Sequence, residues 1–136
     1  MPIDYRLNAD VTVDQVIELL IASTLAERRP VGDRPRMQAM LQCSNLVITA
    51  WEGEVLVGIA RSVSDFSYCT YLSDLAVRKS HQKQGIGTHL IKCTQAAAPQ
   101  ATVILLSAPA AVDYYPHVGM EKHESAWILR AGNQLR

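Results

Sequence analysis

The stretch Val77, Arg78, Lys79, Ser80, His81, Gln82, Lys83, Gln84, Gly85, Ile86, Gly87, Thr88 concentrates the chemistry, because it joins a β-rich run to a helical pattern through two closely spaced glycines. The first turn of a helix has four backbone N–H groups without intrahelical acceptors and sits at the positive end of the macrodipole. Such a junction favours phosphate oxygens. Glycines at positions 85 and 87 let those oxygens approach with no Cβ in the way. Two other phosphate-binding patterns do not fit. GxxxxGK followed by Ser or Thr is absent. A dinucleotide fingerprint needs a third glycine three residues after the second, early in a βαβ unit; here Leu90 stands at that place and the loop comes late.

Other reactive side chains are sparser. Asp74 interrupts the otherwise apolar run Leu72 to Val77, and a carboxylate there needs either a hydrogen-bonded structural place at a bulge or edge, or a chemical task. Cys43, Cys69 and Cys93 are odd in number and widely spaced, which reads as buried free thiols. His81, His89, His117 and His123 lack HxH or HExxH spacing, so no metal site is expected. Arg28, Arg29, Arg34 and Arg36 fall in a polar stretch and read as a solvated loop.

The elements that must position these groups follow from periodicity and punctuation. Ile3 to Leu7 alternates weakly as a first strand. Thr12 and Gln15 form a capping box for a helix to about Leu25, with Val13, Val16, Ile17, Leu20 and Ile21 inward. Glu27 to Pro35 reads as a loop, and Met37, Met40 and Leu41 mark a second short helix. Asn45 to Trp51 and Val55 to Ser62 make a hairpin about Glu52, Gly53 and Glu54, and Thr70 to Val77 follows a polar turn at Ser64 to Ser67. After the glycines, Ile86, Leu90, Ile91 and Cys93 or Thr94 pattern a helix that ends near Pro99. The nearly all-apolar Thr102 to Leu106 predicts a strand buried on both faces. Ala110 to Val118, closed by Gly119, predicts one more helix, and Ser125 to Leu129 a last strand. The order β-α-α-β-β-β-α-β-α-β over 136 residues predicts an α/β layered structure in one domain, residues 1–136.

Composition narrows the partners. Hydrophobic residues at 49% against 19% charged exclude a disordered chain. Thirteen basic and thirteen acidic side chains leave no net field to draw the protein onto a polyanion, so neither a nucleic-acid nor a membrane partner is expected. Residues 1–10 show no basic, apolar leader, which predicts a soluble, cytoplasmic protein.

Gln82, Lys83, Gln84, Gly85, Ile86, Gly87 resembles the Q/R-x-x-G-x-G/A signature of the GNAT superfamily of N-acetyltransferases, and it follows a hydrophobic strand as in that family. Tyr114, Tyr115, Pro116, His117, Val118, Gly119, Met120 resembles the family's aromatic-Tyr-x-x-x-Gly-aromatic segment. The resemblance implies a mixed, mostly antiparallel sheet flanked by helices, with parallel fourth and fifth strands splayed around acetyl-CoA as acyl donor. It implies that Gln82, Lys83, Gln84, Gly85, Ile86, Gly87 and Thr88 hold the pyrophosphate, while Leu75, Ala76 and Val77 pair with the pantetheine arm like an added strand. A small-molecule amine is the implied acceptor, and a homodimer is common among look-alikes.

In the family the amine attacks the thioester directly, which asks the protein to position both reactants, take up a proton and stabilise an oxyanion. The resemblance makes Tyr115 the acid that protonates the departing thiolate, and a backbone N–H near Leu75 the oxyanion donor. Asp74 is the first candidate for the base. One position departs from the pattern: Ala108 stands where many relatives carry an amide or acid, with Ser107 beside it. A non-catalytic acyl-CoA sensor, or an enzyme acting on a protein amine, shares the same motifs.

Overall fold

The structure, a computed structural model, describes residues 2–136. It divides into two compact units, Met1–Leu106 and Ser107–Arg136. The first contains β1 (Asp4–Leu7), α1 (Val13–Ser23), α2 (Arg34–Gln42), β2 (Leu46–Glu52), β3 (Val55–Ser64), β4 (Cys69–Val77), α3 (Ile86–Ala97) and β5 (Thr102–Ile104); the second contains the one-turn helix α4 (Tyr114–His117).

Local sequence explains most boundaries. The Thr12 side chain accepts from the Gln15 amide and the Gln15 side chain returns to the Thr12 amide, so the capping box opens α1 as the residue types require. The helix stops at Ser23 because Thr24 turns left-handed, at φ 73°. The polar stretch after it holds a short 3₁₀ turn, Leu25–Arg28. Asp33 then caps α2, whose first turn contains Pro35 where no amide donor is needed.

The five strands lie in the order β1-β2-β3-β4-β5, antiparallel except for the parallel pair β4 and β5. The sheet is therefore mixed and mostly antiparallel, as the resemblance implies. Val13, Val16, Leu19 and Leu20 of α1 and Met37 of α2 pack on Val47, Trp51, Leu56, Ile59 and Ala76. Ile86 and Leu90 of α3 pack on Leu46, Ile48, Ala50, Val57, Ala60 and Leu72 from the opposite side. Leu19 takes the inward place expected for Ile21, which is 60% exposed. Gly58 lets α3 sit close: a Cβ there would lie 3.0 Å from Leu90 Cδ1 and 3.2 Å from Ile86 Cγ2.

Four expectations need correction. β5 is not buried on both faces; Thr102 and Ile104 are exposed, because β5 is the sheet's edge and is only three residues long. Cys43 and Cys69 are exposed, one closing α2 and the other opening β4 at a turn, while Cys93 is half-buried. Ala110 to Val118 is not one helix but a 3₁₀ turn, Pro109–Ala111, followed by α4. Pro116 has no amide to bond four residues back and so cannot continue a helix from Ala110. Ser125 to Leu129 forms no strand; the Ser125 amide bonds His123 Nδ1 in a turn, and Trp127 is 92% exposed.

Candidate active site

Two strand irregularities and one loop build the site. β4 pairs with β3 from Gly58↔Val77 through Arg61↔Asp74, then from Ser62↔Leu72 to Ser64↔Thr70, leaving Ser73 as an extra residue. Such a bulge reverses the inward and outward alternation. Leu72 faces the α3 side, yet Asp74 and Ala76 face the side of α1 and α2. On its other edge β4 pairs with β5 only over Cys69↔Thr102, Thr70↔Val103 and Tyr71↔Ile104. Leu72 to Val77, including Leu75, Ala76 and Val77, therefore runs past the end of β5, and no strand among the described residues pairs on that edge.

The chain then turns into α3. The Arg78 amide donates to Val57 O at 2.8 Å, extending the β3 ladder by one bond. Its guanidinium forks onto both Glu18 oxygens at 2.7 and 2.6 Å, tying the loop's start to α1. A 3₁₀ turn, Lys79–His81, follows, and the Gln82 side-chain amide donates back to Val77 O at 2.9 Å. Lys83 and Gly85 are left-handed, at φ 63° and 82°. For lysine that conformation costs about 1 kcal/mol, a strain that marks functional loops more often than idle ones.

Gly85, which has no side chain to cap with, is the N-cap of α3, and the first helical bond runs from the His89 amide to Gly85 O at 3.0 Å. The amides of Ile86 and Gly87 precede that bond, where the helix supplies no acceptor. A Cβ at Gly85 would meet no atom within 4 Å, so open space lies over this turn. Gln82, Lys83, Gln84 and Gly85 are exposed, Gly87 and Thr88 half-buried, and Ile86 is buried as the anchor of the helix. The geometry is that of an anion cradle set beside a strand edge that β5 does not cover.

Asp74 lies elsewhere in the network. Its side chain is 2% exposed; Arg29 Nε donates to one oxygen at 2.5 Å and Arg61 Nε to the other at 2.6 Å. Arg29 also donates to Ser73 O, and Arg61 to Ser73 Oγ, Ser44 Oγ and Met40 O. Both arginines were missed as site residues. The Arg61↔Asp74 rung exists only because Ser73 is an extra residue, which no spacing in the sequence announces, and Arg29 comes from a segment that reads as a loop. Arg34 pairs with Asp14 instead.

In the second unit, Tyr115 is half-buried and its ring meets Tyr114 edge-on at 5.2 Å. Burial, and secondarily the neighbouring Tyr114, raises its phenol above the ordinary value of 10.0. The Met120 amide donates to Tyr115 O at 2.9 Å, and Gly119 completes the turn at φ 97°.

The model of the acetyltransferase (GNAT) domain matches residues 23–132. No curated protein matches the chain. A GNAT-family acetyltransferase from Streptococcus pneumoniae TIGR4 is 25% identical, with a TM-score of 0.75 over 95% of this chain and 99% of that one. A probable acetyltransferase from meticillin-resistant Staphylococcus aureus superposes with a TM-score of 0.78 at 18% identity, over 95% and 98% of the two chains. An aminoglycoside acetyltransferase from an uncultured soil metagenomic sample, solved with sisomicin, gives 0.71 at 21% identity, over 98% and 97%. With the domain model matching most of the chain and the mixed sheet carrying a parallel β4–β5 pair, the chain belongs to the GNAT family of acetyltransferases.

Proposed function

We propose that the protein transfers the acetyl group of acetyl-CoA directly to the primary amine of a small molecule. The observation that carries this reading is the glycine-capped start of α3 at Gly85, reached by a short loop from a strand, β4, that outruns β5 from Leu72 to Val77. A similar structure, the aminoglycoside acetyltransferase AAC(6')-Iy, was solved with a CoA bisubstrate analogue, and the soil enzyme with sisomicin, which supports a CoA donor and an amine acceptor.

Acetyl-CoA is the acyl donor and supplies the thioester carbonyl. The amides from Lys83 to Thr88 bind its pyrophosphate, with Gln82 and Gln84 shaping the loop, and Leu75 and Val77, either side of Ala76, hold the arm by their outward backbone groups. The bulge at Ser73 sets the direction of the Leu75 amide, the proposed oxyanion donor. The neutral amine nitrogen bonds the acetyl carbon as the carbon–sulfur bond breaks, the nitrogen gives one proton to water, Tyr115 gives its phenol proton to the sulfur, and water returns a proton to the phenolate. The raised phenol value keeps Tyr115 in its acid form at neutral pH. Asp74, each oxygen already held by a guanidinium, serves this proposal as the clamp of the bulge, and water replaces it as base.

Isothermal titration with acetyl-CoA, followed by a free-thiol assay over a panel of small amines, tests the reading. The wild type should bind and release thiol with at least one amine, and Gly87→Leu should lose binding without losing melting temperature, since leucine is the better helix former by roughly 0.8 kcal/mol. Wild-type affinity in the variant would remove the loop from the donor site. Binding without thiol release on every amine would overturn small-molecule transfer.

A further inference from the structure

Val63, Tyr71 and Ile104 are direct register neighbours across β3, β4 and β5, so their side chains stand in one row on one face of the sheet. They are 49%, 41% and 50% exposed. Arg61, two residues before Val63 on the same strand, bonds Met40 O and Ser44 Oγ at the far end of α2, which identifies the face as that of α1 and α2. The helices cover this face over Ile59 and Ala76 and leave the row open.

The row's position gives it meaning. Tyr71↔Ile104 is the last rung of the β4–β5 ladder before the strands part. The glycine loop follows Val77, so an acyl donor anchored there and lying along β4 runs from Val77 toward Leu72, about 17 Å at roughly 3.3 Å per residue. Its reactive end then arrives beside Tyr71 and Ile104. The same face carries the Arg29–Asp74–Arg61 cluster, one carboxylate between two guanidiniums, which has a net positive charge of its own. Nearby positive charge favours the neutral form of an amine, the form that attacks, and disfavours a second ammonium on the same molecule.

The geometry points to Val63, Tyr71 and Ile104 as the seat of the acceptor's carbon skeleton, and to an acceptor that is a monoamine on an uncharged, apolar body. This rests on the transferase reading above and specifies its substrate class. The Tyr71 ring supplies the broad contact surface, with Val63 and Ile104 flanking it.

The test compares hexylamine with 1,6-hexanediamine, equal in length but differing by one charge, in wild type and Tyr71→Ala, by thiol release and by titration with acetyl-CoA. The wild type should favour hexylamine at least about tenfold in kcat/KM, and Tyr71→Ala should raise the hexylamine KM about tenfold, both about one decade of transition-state or ground-state binding. Affinity for acetyl-CoA should stay unchanged. Equal kcat/KM for the two amines, or an unchanged KM in Tyr71→Ala, overturns the assignment while leaving the transferase intact. Absence of acetyl-CoA binding in the wild type would instead overturn the transferase reading and this one with it. Sedimentation of both proteins supplies the remaining arm: dissociation of an oligomer by Tyr71→Ala would reassign the row to an interface between copies and overturn the proposal.

Discussion

Asp74 shows how a single carboxylate is decided by its neighbours. Removing it leaves Arg29 and Arg61 charged and largely buried with no counter-ion, so Asp74→Ala should destabilise the protein by roughly 3–5 kcal/mol in a urea titration. Asp74→Asn keeps the shape, and the acid limb of its kcat/KM profile should match the wild type; a lost limb would return the base to Asp74. Tyr115→Phe should lower kcat about a hundredfold, the scale of one general acid, with acetyl-CoA affinity unchanged by titration. Because burial and Tyr114 raise the phenol, the midpoint of an alkaline fall in kcat should lie above pH 10.0, and the fall should vanish in the Phe variant. The types of Asp74 and Tyr115 were legible in the sequence. The direction of Asp74 was not, since without the extra residue at Ser73 it would share a face with Leu72.

At the level of elements, the cradle depends on how closely α3 approaches the sheet. Leu90 and Ile86 are both buried and have little room to yield to a Cβ at Gly58, so Gly58→Ala should cost about 1–3 kcal/mol in thermal or urea unfolding. Ile86 opens α3 beside the glycine loop, so the same change should also weaken acetyl-CoA binding by titration, whereas a purely local accommodation would leave the affinity unchanged. The capping box, the hairpins and the start of α3 were readable because each is a local rule, satisfied within a few residues. The edge position of β5 was not readable: an apolar run looks alike whether strands lie on both sides or on one.

Across the molecule, two exposed carboxylates link separate elements and a third closes a turn. Asp14 is lowered first by its hydrogen bond to Arg34, Glu18 by that to Arg78, and Asp65 by the amides of Tyr68, Ser67 and Cys69. A lowered value in the fold means that the stability each contributes is complete above the ordinary values, 3.8 for the aspartates and 4.5 for Glu18, and is lost as pH falls through the folded ones. Melting temperature should therefore drop as pH is lowered from 5 to 3, and added salt should shrink the two arginine-dependent parts while sparing that of Asp65, whose partners are backbone amides. A melting temperature indifferent to pH over this range would reject the linkage.

The sequence by itself determined the order of elements from β1 to β5, the glycine loop with its strand, and the tyrosine motif, because helix starts, turns and strand alternation are set by residues close together in the chain. Only the tertiary structure decided that β4 carries a bulge and outruns β5, that Asp74 is clamped by Arg29 and Arg61, and that Val63, Tyr71 and Ile104 form an open row. Each of these depends on the register between strands far apart in sequence, which is settled by the packing of the whole sheet and which no local pattern encodes.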